Sequence, residues 1–144
     1  MAKLLSPTQT LAKQIATEGG LDPALVCAVC EKESSWRTDA TRYEPAFEKW
    51  LRNRVRGFTD LEYKNRSTSW GLMQVMGEVA REQGFTEHFS RLLDPETALR
   101  QGVQHLKHYL DVAKGDVTAA LQHYNGGGNP HYAESVLALK PKYQ

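Results

Sequence analysis

Glu33 is the residue best placed in this chain, by type and by neighbours, to move a proton. It stands in Glu31-Lys32-Glu33-Ser34-Ser35-Trp36 at the end of an apolar run, with Trp36 three residues on and Trp70 as a second aromatic that could face it. Apolar neighbours disfavour a charged carboxylate and raise its pKa toward the range useful for a general acid. The plain alternative is a solvated last-turn glutamate, with Glu31 as its equal. Two further segments mix polar groups with aromatics and glycines: Ser69-Trp70-Gly71-Leu72-Met73-Gln74-Val75-Met76, read as a helix start, and Tyr124-Asn125-Gly126-Gly127-Gly128, read as a helix end. Groups at helix–loop junctions can gather in a cleft between helices.

The elements that must carry these groups are helical. Ser6-Pro7 followed by Gln9 reads as an N-cap, a proline at the first helical position and a capping box, and Gly19-Gly20 end that helix. Asp22-Pro23 opens the next, with Leu21 and Val26 at hydrophobic-staple positions, and it runs to about Ser34 or Ser35. Asp94-Pro95 opens the clearest one, because Leu99, Val103, Leu106, Leu110 and Ala113 form a one-sided stripe that Gly115 stops. Asp116 caps a short helix through about Tyr124, and His131 to Leu139 closes the chain. Gly71 to Gln83 reads as a further helix ended by Gly84, and Phe47, Trp50, Leu51 and Val55 suggest one in the poorer stretch from Thr38 to Ser69. The rest of that stretch reads as loop or a short strand pair. The expectation is a mainly α, multi-helix single domain over residues 1–144, with at most a small β hairpin.

Composition agrees and narrows the function. The chain has 144 residues, 40% of them apolar, and 11 glycines, an ordinary globular balance. Its net charge of +1 offers no whole-molecule field for nucleic acid, which makes a helical DNA-binding module the weakest candidate. No apolar stretch approaches a bilayer span, and Met1-Ala2-Lys3-Leu4-Leu5-Ser6-Pro7 turns polar before a secretion signal forms, so the chain reads as soluble and without an export signal. Cys27 and Cys30 form a lone C-x-x-C in an apolar run, better explained as two small core residues than as a metal or redox pair. His105 and His108 lie one turn apart with no evident third ligand, so no metal is expected. Arg52, Arg54 and Arg56 read first as a solvated helix face and second as contacts to an anionic wall polymer. Met73 and Met76 read as core, the Met73 backbone excepted. Trp36 and Trp70 stay open between sugar-stacking platforms and cleft-wall core.

The order of the three segments is informative. Glu-Ser ending an early helix, then Gly-Leu-Met-Gln, then Tyr-Asn-Gly-Gly near the C-terminus resembles the lysozyme-like lytic transglycosylase (SLT) domain, related to goose-type lysozymes, over about Leu21 to Gly128. The resemblance implies cleavage of the β-1,4 bond between N-acetylmuramic acid and N-acetylglucosamine in peptidoglycan, with no cofactor. It assigns Glu33 as catalytic acid/base and Ser34 as its support. Met73 and Gln74 match groups that contact the sugar N-acetyl region, and Gly71 the glycine that lets backbone approach the cleft. Tyr124 and Asn125 match the Tyr-Asn motif, whose tyrosine lies beside the catalytic carboxyl. Two features depart from the pattern: His123 stands where the family often has alanine, and a segment from Tyr43-Glu44-Pro45 through Arg66 is added. With Arg42-Tyr43-Glu44-Pro45 before Ser69-Trp70-Gly71-Leu72-Met73-Gln74, the chain looks like small phage lysis or virion proteins.

The expected partner is therefore the peptidoglycan glycan strand, met by a monomer that neither binds nucleic acid nor inserts in a membrane. It would reach the wall as a phage-encoded protein or a bacterial one exported by other means. A single-carboxylate mechanism ending in 1,6-anhydromuramyl products is favoured. The alternative is a hydrolytic muramidase in which Glu44 is the second carboxylate, eleven residues downstream and stiffened by Tyr43 and Pro45. A rival of another class is an inactive wall-binding or structural domain that has kept the cleft.

Overall fold

The computed structural model describes residues 4–144. Helix α1 (Pro7–Glu18) starts at the Ser6 capping box, with the Ser6 side chain accepting from the Gln9 backbone N–H and the Gln9 side chain accepting from that of Ser6. Asp22 caps α2 (Pro23–Ser34) by accepting from the Ala24 N–H, and Asp94 caps α6 (Pro95–Val112) by accepting from that of Thr97. Each of the three carries proline in its first turn, where a missing N–H costs nothing. Asp116 caps α7 (Val117–Asn125), and α8 (Tyr132–Leu139) runs into a 3₁₀ turn at Lys140–Tyr143.

The core is organised on α2. Seven consecutive residues, Ala24 to Cys30, are buried, as expected of a helix surrounded by others. α1, α8 and the closing 3₁₀ turn pack on it, while α6 links α1 to α7. Cys27 and Cys30 are free and buried in this core, and loss of hydration pushes both thiols up, Cys27 to about 11. Trp36 donates its indole N–H to the Tyr143 hydroxyl and Trp70 donates to the Asn65 carbonyl while stacking on Phe89. Both rings pack against the core cluster, and neither lines the cleft described below.

A three-stranded antiparallel sheet joins β1 (Thr41–Tyr43), β2 (Thr68–Trp70) and β3 (Val75–Met76), with Arg42 opposite Ser69 and Trp70 opposite Val75. The helix expected over Gly71–Gln83 is corrected here. Its first part is the β2–β3 turn, and helix α5 occupies only Gly77–Glu82. Gly71 (φ +72°) and Gln74 (φ +51°) both adopt left-handed backbone, which interrupts a right-handed helix. The apolar spacing looked helical because Leu72, Met73, Val75 and Ala80 all reach one core from a turn, a strand and a helix.

The added segment is an excursion between β1 and β2, closed at its neck by Glu44 N–H donating to the Ser67 carbonyl at 2.8 Å. It holds α3 (Pro45–Arg54) and a short α4 (Asp60–Arg66) that the polar sequence did not announce. The pair has a small core of its own. Buried Tyr63 donates to the Val55 carbonyl, carries the Arg52 guanidinium over its ring at 4.3 Å and meets Phe58 edge-on. Arg52 also pairs with Glu48 and Asp60 and so serves the packing of the excursion, where the sequence suggests a solvated helix face.

Candidate active site

The last turn of α2, the sheet and the α6–α7 pair surround a cleft of about 550 Å³ whose lining includes Glu33, Arg42, Glu44, Gln74, His105, Tyr124 and Asn125. Helix α2 brings apolar surroundings to its own end and then stops, with Ser35 and Trp36 in left-handed backbone (φ 50° and 65°). Glu33 is thus held at a helix terminus, partly out of water. Burial raises its carboxyl pKa, and this outweighs the lowering by the Tyr132 hydroxyl and by the charges of Lys32 and Arg42.

Glu31, two residues earlier, occupies a different setting. It accepts from Lys142 Nζ at 3.0 and 2.9 Å and from the Tyr143 hydroxyl, so the C-terminal turn pins it. It is neither a solvated bystander nor part of the cleft lining.

The hydroxyl on Glu33 belongs to a residue the motifs did not indicate. Tyr132, fully enclosed in the first turn of α8, donates to Glu33 Oε1 at 3.0 Å. Its phenol is pushed well up by burial and by the Glu33 charge, so it acts as a donor. A signal for it existed: Tyr132, Ala133 and Val136 form the buried face of α8, and a buried tyrosine must find a hydrogen-bond partner.

The expected site residues have these surroundings. The Tyr124 hydroxyl donates to the Met73 carbonyl at 2.5 Å, and the Glu33 charge is among the causes holding the phenol protonated. Tyr124 therefore ties α7 to the β2–β3 turn beside Glu33, and the hydrogen bond to the carboxyl comes from Tyr132. Ser34 Oγ lies 2.9 Å from both the Cys30 and Leu72 carbonyls, sharing one proton between its own helix and the same turn. The Met73 side chain is buried against Gly102, where an added Cβ would meet its sulfur at 2.3 Å.

Gln74 Nε2 donates to the Ala40 carbonyl at 3.1 Å and to that of Gly71 at 2.8 Å, leaving Oε1 as the polar atom it can offer a ligand. With its oxygen turned to the glycine loop, Asn125 accepts from the Gly128 and Asn129 N–H groups at 3.2 and 2.9 Å. Gly71 also meets a packing demand, since an added Cβ would strike the Leu92 carbonyl at 2.4 Å. Glu44 lines the cleft as N-terminal neighbour of α3 and pairs with Arg42 at 2.9 Å. His105 packs its ring against Tyr109 and Tyr124, and burial pulls its imidazole down to about 4, so it is a neutral cleft wall at pH 7. Among the described residues no group of three or more His, Cys, Asp or Glu side chains could hold a metal ion, and no helix is long and apolar enough to cross a membrane.

A central buried helix ending in a partly desolvated glutamate, faced by a small sheet across a cleft, defines a lysozyme-like domain. The family model of the transglycosylase SLT domain matches residues 10–135, and the chain belongs to that family. The match reaches beyond the three motifs at both ends and takes in Tyr132. Searches of curated proteins and of solved structures each return no match. Membership carries the family's general chemistry, the breaking of glycosidic bonds in peptidoglycan.

Proposed function

We propose that Glu33 is the general acid and then the general base in non-hydrolytic cleavage of the β-1,4 bond between N-acetylmuramic acid and N-acetylglucosamine. The observation that carries this is the Glu33 carboxyl itself, with its pKa raised by burial, one oxygen held by Tyr132, and the group opening on a saccharide-sized cleft. Protonated Glu33 gives its proton to the glycosidic oxygen as the bond to C1 breaks, and the substrate's N-acetyl group stabilises the cationic centre. The Glu33 carboxylate then takes the proton of the 6-hydroxyl as that oxygen bonds to C1. No water is consumed, and Glu33 ends as it began. Gln74 Oε1 accepts from the N-acetyl N–H in this reading, while Ser34, Tyr124 and Asn125 hold the turn and loop on either side.

Glu44 supports a second reading because it lines the same cleft, and two carboxylates flanking a scissile bond can hydrolyse it. Its pairing with Arg42 favours the first reading, since the guanidinium lies 2.9 Å from Oε1 and gives the Glu44 carboxylate a partner other than water or C1. Mass spectrometry of products from purified peptidoglycan separates the two. The expected muropeptides end in 1,6-anhydromuramic acid, one water lighter than hydrolytic products, and Glu44→Gln retains activity within a few-fold. Reducing-end products together with loss of activity in Glu44→Gln would make Glu44 the second catalytic carboxylate.

Tyr132 is a positioning residue, and its removal has a signed consequence. The hydroxyl favours the charged form of Glu33, so Tyr132→Phe raises the Glu33 pKa further. A general acid works while protonated, so the falling limb of the kcat/KM profile moves to higher pH in this variant. An unmoved limb with the same loss of rate at every pH would assign Tyr132 a packing role only.

A further inference from the structure

We propose that Phe47 and Trp50, on the face of α3 that runs out from the cleft, form an outer saccharide subsite for the glycan strand. The proposal rests on the cleft being the glycan site, and it extends that site onto the added segment.

Phe47 lines the same cleft as Glu33. Trp50 follows one turn later, its ring centroid 5.2 Å from that of Phe47 with the planes tilted by 40°. Arg54 comes one turn further and lays its guanidinium over the Trp50 ring at 4.9 Å. The row rises about 10 Å along the helix, roughly the length of a disaccharide.

Trp50 is unlike the other two tryptophans. Trp36 and Trp70 are half-buried with their indole N–H groups engaged, whereas Trp50 is 49% exposed on the solvent side of α3. The excursion's own packing uses Leu51 and Tyr63, both buried, so Trp50 is not needed to close that small core. Trp50 and Phe47 together make a contiguous, partly exposed aromatic surface joined to the cleft, the kind of apolar patch that marks a contact site where a lone exposed side chain does not.

The occupant follows from continuity. An extended polymer held at Glu33 must leave the cleft along one of its walls, and Phe47 belongs to both the cleft and the row. The C–H faces of pyranose rings stack on flat aromatic surfaces, and a row with helical spacing presents such surfaces in succession. Arg54 lies over the indole and brings a positive charge to a strand that carries carboxylates on its peptides.

The test is binding of soluble N-acetylglucosamine oligomers to the Glu33→Gln protein, followed by tryptophan fluorescence and calorimetry. Trp50 is the most exposed reporter of the three. A hexamer is expected to perturb the emission and a trimer, confined to the cleft, to perturb it little. Trp50→Ala should weaken hexamer binding about 3- to 10-fold while leaving the trimer unchanged, and Trp50→Phe should restore most of the loss. Equal loss for both lengths, or none for either, overturns the outer subsite and leaves the assignment of Glu33 untouched. Failure of both lengths to bind overturns it together with the saccharide reading of the cleft, and emission that answers anionic lipid vesicles instead of hexamer reassigns the row to a membrane surface.

Discussion

Glu33→Gln is expected to lower lysis of purified wall by about 10²–10⁴-fold, the usual contribution of a positioned general acid or base. The amide keeps the shape of the carboxyl and can still meet the Tyr132 hydroxyl, but it has no proton to give to the glycosidic oxygen. Its effect on stability has the opposite sign. The Glu33 pKa in the folded protein lies above the ordinary 4.5, so the folded state binds the proton more tightly than the unfolded chain does. The wild-type carboxyl therefore costs nothing below pH 4.5 and costs stability as pH rises through its folded pKa. The variant should melt higher than wild type near pH 7, and the difference should close below about pH 4.5. Glu31→Gln is the control, placed two residues away and held by Lys142 and Tyr143, and its lysis should stay within a few-fold of wild type. Lysis by Glu33→Gln close to wild type at matched circular dichroism would falsify the assignment and leave a wall-binding domain as the better reading.

Gly71→Ala is expected to cost about 2–5 kcal/mol of stability, from two separate sources. Left-handed backbone at φ +72° penalises any L side chain by about 1–2 kcal/mol. Overpacking adds about 1–3 kcal/mol, because the new Cβ would lie 2.4 Å from the Leu92 carbonyl and 3.2 Å from Ala98 Cβ. For a chain of this length the midpoint should fall by about 5–15 °C. Gly84→Ala isolates the first source, since Gly84 has φ +92° and open space around its Cβ position. It should lose about 1–2 kcal/mol. Activity should also fall more in Gly71→Ala, because Gly71 opens the turn that carries Gln74 and the Met73 carbonyl. Equal melting losses in the two variants would show that the Leu92 contact yields without cost.

The boundaries of four helices were legible in local chemistry. Ser6-Pro7, Asp22-Pro23, Asp94-Pro95 and Asp116 each cap the helix they announce, because a capping bond joins neighbours in sequence and needs nothing distant. Glu33 was legible for the same reason, standing at the end of a run apolar enough to desolvate it. The β2–β3 turn was not. Its apolar spacing fits a helix, and only the pairing of Trp70 with Val75 and the close approach of Leu92 to Gly71 select the hairpin. Trp36 and Trp70 stood undecided between cleft and core until Tyr143, far along the chain, and Asn65, at the end of the neighbouring α4, supplied their acceptors and both rings packed on the core.

What the amino-acid sequence determined by itself was the class of fold, the helix starts and the placing of the Glu33 carboxyl at the end of an apolar helix, all of them consequences of interactions within about one helical turn. What the tertiary structure decided was which groups surround that carboxyl. Tyr132 reaches Glu33 across 99 residues of chain, and Tyr124 reaches the Met73 carbonyl across 51. Such contacts leave no periodic trace in sequence, because their geometry is set by how α7, α8 and the hairpin pack around α2.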